Sequence, residues 1–287
     1  LPIYITLNNA SNSFTGTVGG SGANIAITDS TPLSLSATTA TGTLTAVSNG
    51  AITQTGAIST GGLASLTAGA ANDITLTTAG NALASVGIVS GNNVSITEAD
   101  GIALATSAVS GGLTLNSGGA ITQSGTLTVG GASTLTATGD INLAGSSSFT
   151  GDVKFNGGAN VAINDIKSDL NITNGSSATG NLAITSAGVI TDGGTLTVGG
   201  NAGFTGTSAT LDGLAVTGTV GVSVTGDATL VNATGLALSA SSIGGNLSAT
   251  ATTGDLTDTG VVSVGGNATF TTSAANADIV LDQTTVT

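Results

Sequence analysis

The stretch Gly118-Gly119-Ala120-Ile121-Thr122-Gln123-Ser124-Gly125-Thr126-Leu127-Thr128-Val129-Gly130-Gly131 occurs in four versions along this chain. The others start at Gly50, at Gly188 and near Leu256. Ile52, Ile121 and Ile190 are evenly spaced, and Leu256 follows Ile190 at a slightly shorter interval. A repeat this long and regular points to a chain of stacked, equivalent units, each burying its apolar face on the next.

Inside each unit runs a finer beat of short apolar-polar-apolar segments. Leu113-Thr114-Leu115, Ile121-Thr122-Gln123, Leu127-Thr128-Val129, Leu135-Thr136-Ala137 and Ile141-Asn142-Leu143 are examples. A period of two marks strands with one buried face. Gly, Asn, Ser and Asp separate the runs, as tight turns require. No segment carries a 3.6-residue period long enough for a helix. Runs of three to five residues are short for a sandwich, and Asn-Gly hairpin signals are confined to Asn49-Gly50 and Asn174-Gly175. The pattern predicts an all-β, right-handed parallel β-helix. About 12 coils are expected, at roughly three coils of about 23 residues per super-repeat, each rising about 4.8 Å.

Composition fits a narrow interior. The 287 residues include 46 Gly, five Phe, one Tyr and no Trp. Ala, Val, Leu and Ile must therefore fill the core, and Thr, Ser and Asn the outward ladders. Only Pro2 and Pro32 interrupt potential strand pairing. Phe14, Phe149, Phe155, Phe204 and Phe270 are expected as core plugs rather than as a sugar-binding platform. Glycines are expected at corners, where they supply backbone angles that other residues avoid.

Residues 1–287 read as one continuous β-helix segment. Its super-repeats fall at 1–41 (partial), 42–110, 111–179, 180–244 and 245–287 (partial). The first residue is Leu and neither end shows a polar capping unit, so an internal fragment of a longer chain is expected. No signal-peptide pattern opens the chain, and no run of 18 apolar residues appears.

The repeat unit resembles those of filamentous-haemagglutinin-like exoproteins. The matching residues are Gly180-Asn181-Leu182, Ile121-Thr122-Gln123, Asp73-Ile74-Thr75-Leu76, Phe149-Thr150-Gly151 and Asn93-Val94-Ser95-Ile96-Thr97-Glu98. The resemblance covers nearly the whole chain. It implies a large bacterial adhesin of the two-partner secretion type. An outer-membrane barrel would be its export partner, and a host or neighbouring-cell surface or matrix its target. The same resemblance implies biofilm or filament roles. End-to-end or lateral self-association is an expectation from unpaired strand edges.

Charge and chemistry exclude several functions. Fifteen acidic residues against Lys154 and Lys167 give a net charge of −13. Nothing here neutralises phosphates, so no nucleic-acid partner is expected. With no His and no Cys, Ser-His catalysis, zinc sites and disulfides are absent. Carboxylate catalysis would need acids from neighbouring coils in one groove. The best candidates are two sets of equivalent positions. One is Asp29, Glu98, Asp165 and Asn232; the other is Gln54, Gln123, Asp192 and Asp258. At three coils apart, members of a set would lie in one column with gaps of roughly 14 Å, too far to share a proton or metal. Both sets are expected as solvated turn residues. A surface ion pair is expected among Asp165, Lys167 and Asp169, worth little, and Glu98-Ala99-Asp100 is the one place for a weak cation. No catalytic, cofactor-binding or metal-ligating residue is assigned, and no cofactor or enzymatic activity is expected. The expected function is the structural shaft of a secreted adhesin or extracellular filament. The alternatives are a polysaccharide-acting enzyme on the same scaffold and a Thr-rich ice-binding face.

Overall fold

The computed structural model describes residues 2–283. Among them every regular element is a strand, the longest ten residues, and the named strand pairings are parallel. The described residues fold as parallel β-solenoid, about 14 turns in all. Most turns are shorter than the expected coil, with paired positions often 19 or 20 apart in the chain: Ile25 pairs with Leu44, Leu113 with Ser133, and Leu182 with Ala202. Away from the seams a turn has one long strand and two short ones, as in Leu113–Ser117, Ile121–Gln123 and Leu127–Val129. The chain divides into two compact units, residues 1–147 and 148–287.

In the first unit, Asn24–Asp29 pairs in register with Leu44–Ser48. That strand pairs with residues 64–67, and these with 86–90. The next long strand, Val94–Glu98, follows residues 85–90 directly, with no short strands between them. It leads a second stack with Leu113–Ser117 and Ser133–Ala137. This stack sits on another side of the solenoid, because Ile74–Leu76 pairs with Val94, Ser95 and Ile96. Ile74 in turn pairs with Ile52, and Leu33–Leu35 with Ile52–Gln54. The first column is continued by a short strand, through the bridge Gly91–Val109.

The second unit behaves the same way. Val161–Asp165, Leu182–Ser186, Ala202–Gly206 and Thr219–Val224 form one stack of long strands. Ala228–Asn232 then follows directly and starts another stack with Leu247–Ala251 and Ala268–Thr272. This stack rests on the short-strand column Leu170–Ile172, Val189–Asp192 and residues 209–211.

Counting each long strand that turns a corner, such as Ile141–Phe149 or Ser208–Val216, as its two arms, a super-repeat holds ten strand segments, four long and six short. At three segments per turn it completes three and a third turns, and each seam moves the long strands to the next side. The expectation of three whole coils is corrected by this remainder. Ile52 and Ile121, equivalent in sequence, lie in different columns: Ile52 pairs with Leu33 and Ile74, Ile121 with Ile102 and Ile141. Ile190 and Leu256 differ likewise, pairing with Leu170 and Leu236.

The core consists of stacked like side chains. Leu115, fully buried, lies between Ile96 and Leu135 in adjacent turns. Phe149, Phe155 and Phe204 are buried plugs, as expected, while Phe14 and Phe270 are only half-buried. Gly69, Gly157, Gly158, Gly175 and Gly194 supply the expected positive φ, while other corner glycines serve a different purpose. Gly118 and Gly130 lack positive φ angles. A Cβ on Gly118 would overlap the carbonyl of Ala99, and one on Gly130 the carbonyl of Ser110. Glycine lets successive corners nest.

Two substitutions test this packing. Leu115→Ala should cost about 2–5 kcal/mol in urea unfolding, as for other fully buried leucines. Gly130→Ala should lower the melting temperature clearly, whereas Gly16→Ala, with open space around its Cβ position, should leave it within about 1 °C, consistent with surface changes of roughly 0.5 kcal/mol or less.

Candidate functional site

The seams gather the polar residues that the sequence singled out. Asp29, Glu98, Asp165 and Asn232 each end the first long strand of a super-repeat. All four side chains are buried, Asp165 completely and the others to within 2%. Neither the expected column nor the expected solvation holds. Asp29 and Glu98 lie in different strand columns of the first unit, as do Asp165 and Asn232 in the second. The one-third-turn remainder separates them.

Each of the four accepts a main-chain N–H from the residue 15 or 16 positions earlier, in the preceding turn. Phe14 N–H donates to Asp29 Oδ1 at 3.4 Å, and Leu83 N–H to Glu98 Oε1 at 3.0 Å. Phe149 N–H donates to Asp165 Oδ1 at 3.3 Å, and Val216 N–H to Asn232 Oδ1 at 2.8 Å. A seam interrupts the regular ladder, and a buried amide left unpaired there would be costly. The side chain replaces the missing carbonyl. Asp29 also accepts from Thr31 N–H and Oγ1 at 3.0 and 2.8 Å. Asp165 accepts from Lys167 N–H at 3.2 Å and Ser168 Oγ at 3.4 Å. Asp165 thus meets the main chain of Lys167 from the interior.

Asn232 uses its second polar atom too. Its Nδ2 donates to Val216 O at 3.0 Å, Thr234 Oγ1 at 3.1 Å and Gly235 O at 2.6 Å. In contrast, Asp29 Oδ2 and Glu98 Oε2 are buried without a hydrogen-bond partner. Burial pushes the Glu98 carboxyl up to about 7, with a smaller push from Asp100; the Leu83 and Ala99 amides pull the other way. Burial also raises Asp165, against the pull of the Lys167, Phe149 and Ser168 hydrogen bonds. Glu98 is buried and Asp100 exposed, and both line an open depression of about 330 Å³ with Ser59, Thr60 and Leu83.

Further along each stack the same strand-end position holds a smaller side chain. Ser48 pairs with Asp29, Ser117 with Glu98 and Ser186 with Asp165. These hydroxyls donate to Thr31 O, Asp100 O and Ser168 O at 2.8–2.9 Å. The long-strand end is a built polar seam with its widest group at the frame shift.

The second set clamps turns. Gln54 Nε2 donates to Gly56 O at 2.7 Å and to Asn81 Oδ1 at 2.8 Å. Gln123 Nε2 donates to Gly125 O at 2.7 Å, while Gln123 Oε1 accepts from Ser147 Oγ at 3.0 Å. Asp192 accepts from the N–H groups of Asp212 and Gly213 at 3.0 and 3.1 Å. Its carboxyl is raised by burial above all, with Asp212 adding to the shift. Asp258 accepts from Asp282 N–H at 3.0 Å. Asn81, fully buried, escaped the sequence reading. It accepts from Ile58 N–H at 3.0 Å and donates to Leu76 O and Thr97 O at 3.1 and 3.0 Å. Its place in Gly80-Asn81-Ala82 looks like an ordinary turn.

Exposed Asn and Asp side chains extend this logic over the surface. Asn160, Asn181 and Asn201 accept, through Oδ1, the N–H groups of Asn181, Asn201 and Thr219, one turn on. In the second unit an open depression of about 500 Å³ is lined by Thr217, Thr234, Leu236, Asp255 and Thr257. Among the described residues no group of three or more His, Cys, Asp or Glu converges as a metal set.

Stacked parallel turns whose polar side chains serve the main chain define a repeat-built β-solenoid. Family models match residues 22–90, 91–156, 158–223 and 225–286. The chain belongs to the family described as repeats of unknown function, DUF5649. Those matches break at the seams, so the period read from the sequence is retained while its phase moves by about one turn from the starts at Gly42, Gly111 and Gly180. No curated protein and no solved structure matches the chain.

The seam role has a direct test. Asn232→Ala leaves the Val216 N–H and C=O without their seam partner, at a cost of about 1–3 kcal/mol per unsatisfied group. Hydrogen exchange at the Val216 amide should accelerate at least tenfold. Unchanged protection there would mean that Asn232 does not hold the seam.

Proposed function

We propose that the chain is a structural shaft of a secreted cell-surface adhesin or extracellular filament, serving attachment or matrix formation. One observation supports this above others: the acids best placed for chemistry are occupied in joining one turn to the next. Asp29, Glu98 and Asp165 accept main-chain N–H groups at the seams. The exposed amide ladders do the same at the surface. Such a chain distributes stability over nearest-neighbour contacts and tolerates changes in repeat number. The acidic surface favours solubility and self-repulsion.

A second reading, action on a polysaccharide, has one observation in its favour. Asp192 and Asp212 come from successive turns and influence one another. Both Asp192 oxygens, however, accept main-chain N–H groups, and such a pair needs a freely presented acid and base. The ice-binding alternative draws less support, since outward positions on the long strands mix Ala162, Ala183 and Gly203 with Thr185 and Thr205.

The shaft reading is tested by removing one super-repeat, residues 91–157, in frame. The shortened protein should fold, keep its export and adhesive behaviour when displayed on cells, and project less far in electron micrographs of end-labelled molecules. Loss of cell binding with unchanged projection would place the ligand-binding function in the repeats themselves and overturn the shaft assignment.

A further inference from the structure

Asn232 shows what surrounds the seam position. Its amide group accepts from one neighbour and donates to three oxygens, two of them main-chain carbonyls. The same strand-end position in the other super-repeats holds a carboxyl group. A carboxylate can accept but cannot donate, and at Glu98 the second oxygen is buried with no partner. A carboxylic acid is the closest chemical equivalent of the Asn232 amide: one oxygen accepts, the other donates through its proton. We propose that the seam ending in Glu98 is a proton-binding lock, in which Glu98 is held as a neutral acid in the folded solenoid and the seam loosens when the proton leaves.

The surroundings agree. Asp100 is the charged group that bears on Glu98, and its negative charge disfavours ionisation there. Leu83 and Ala99 present main-chain amides to it. Burial dominates at Glu98 and raises it to about 7. The sign follows from linkage: an acid raised in the folded state binds its proton more tightly there than in the unfolded chain. For Glu98 the contribution is fully present below about 4.5, declines as pH rises, and is gone above about 7. Folding stability contributed by this seam therefore falls between mildly acidic and neutral pH, opposite to the usual salt-bridged carboxylate.

The test uses the full chain. Side-chain carboxyl carbon shifts, followed by NMR from pH 3 to pH 9, should show the Glu98 resonance titrating near neutrality. Titration of Glu98 below pH 5 would overturn the proposal without any variant. Amide exchange at Leu83, corrected for the intrinsic rate, should lose protection at least tenfold from pH 5 to pH 8.5. In Glu98→Gln that loss should vanish, and protection at pH 8.5 should exceed that of the parent chain. If Glu98→Gln instead loses protection equally at both pH values, or keeps the parent's pH dependence, the seam does not work through a proton. The natural amide at Asn232 supplies the internal reference: protection of Val216 should stay flat across the same range.

Discussion

In-register parallel hydrogen bonding between one turn and the next is the interaction on which this molecule depends. It holds the turn length nearly constant, because the main chain must return to the same column after each circuit. It places like on like, so Ile96, Leu115 and Leu135 form one buried ladder. It demands glycine wherever corners nest, as at Gly118 and Gly130. It also decides where polar side chains are needed, since every N–H that the ladder misses has to find another acceptor.

The ladder misses most at the seams. At the seams of Glu98, Asp165 and Asn232 two long strands follow one another without the usual pair of short ones, and the strand pattern shifts by one side. The chain meets this with one buried polar residue per seam, reaching back to Phe14, Leu83, Phe149 or Val216. Three are acids and one is an amide, so the shared property is the ability to accept a hydrogen bond rather than charge. A buried carboxyl is an expensive acceptor unless it keeps its proton. Electrostatics and backbone satisfaction are thereby tied together at the same residues.

Much of this was legible in the sequence. Strict alternation in Leu113-Thr114-Leu115 and the recurrence of Ile52, Ile121 and Ile190 define parallel stacked strands with Leu and Ile inside. The one-third-turn remainder was not legible, because a repeat of this length is compatible with several numbers of strands per turn. Its local trace is the continuous run from Val86 to Ile96, where Gly91, Asn92 and Asn93 separate two long strands without short ones between. The burial of Asp29, Glu98 and Asp165 was hidden for another reason. An acid at a strand end before Ser, Ala or Ile reads as a turn residue in contact with water, and only pairing with the previous turn reveals it as an interior group. Asn232 at the same repeat position was the available hint that charge was dispensable there. The family match fits the repeats themselves.

The rotation at each seam has a consequence for how molecules of this kind coexist. Sheets that present the same flat, regular face over many strands are prone to laminate against copies of themselves, as in cross-β assemblies. Here a side keeps its long strands for four turns at most before short strands take over, as the stack from Asn24–Asp29 to residues 85–90 illustrates. Each uniform facet ends before it grows large. A fractional turn count per repeat lets the chain lengthen by duplication without enlarging any one sticky plane.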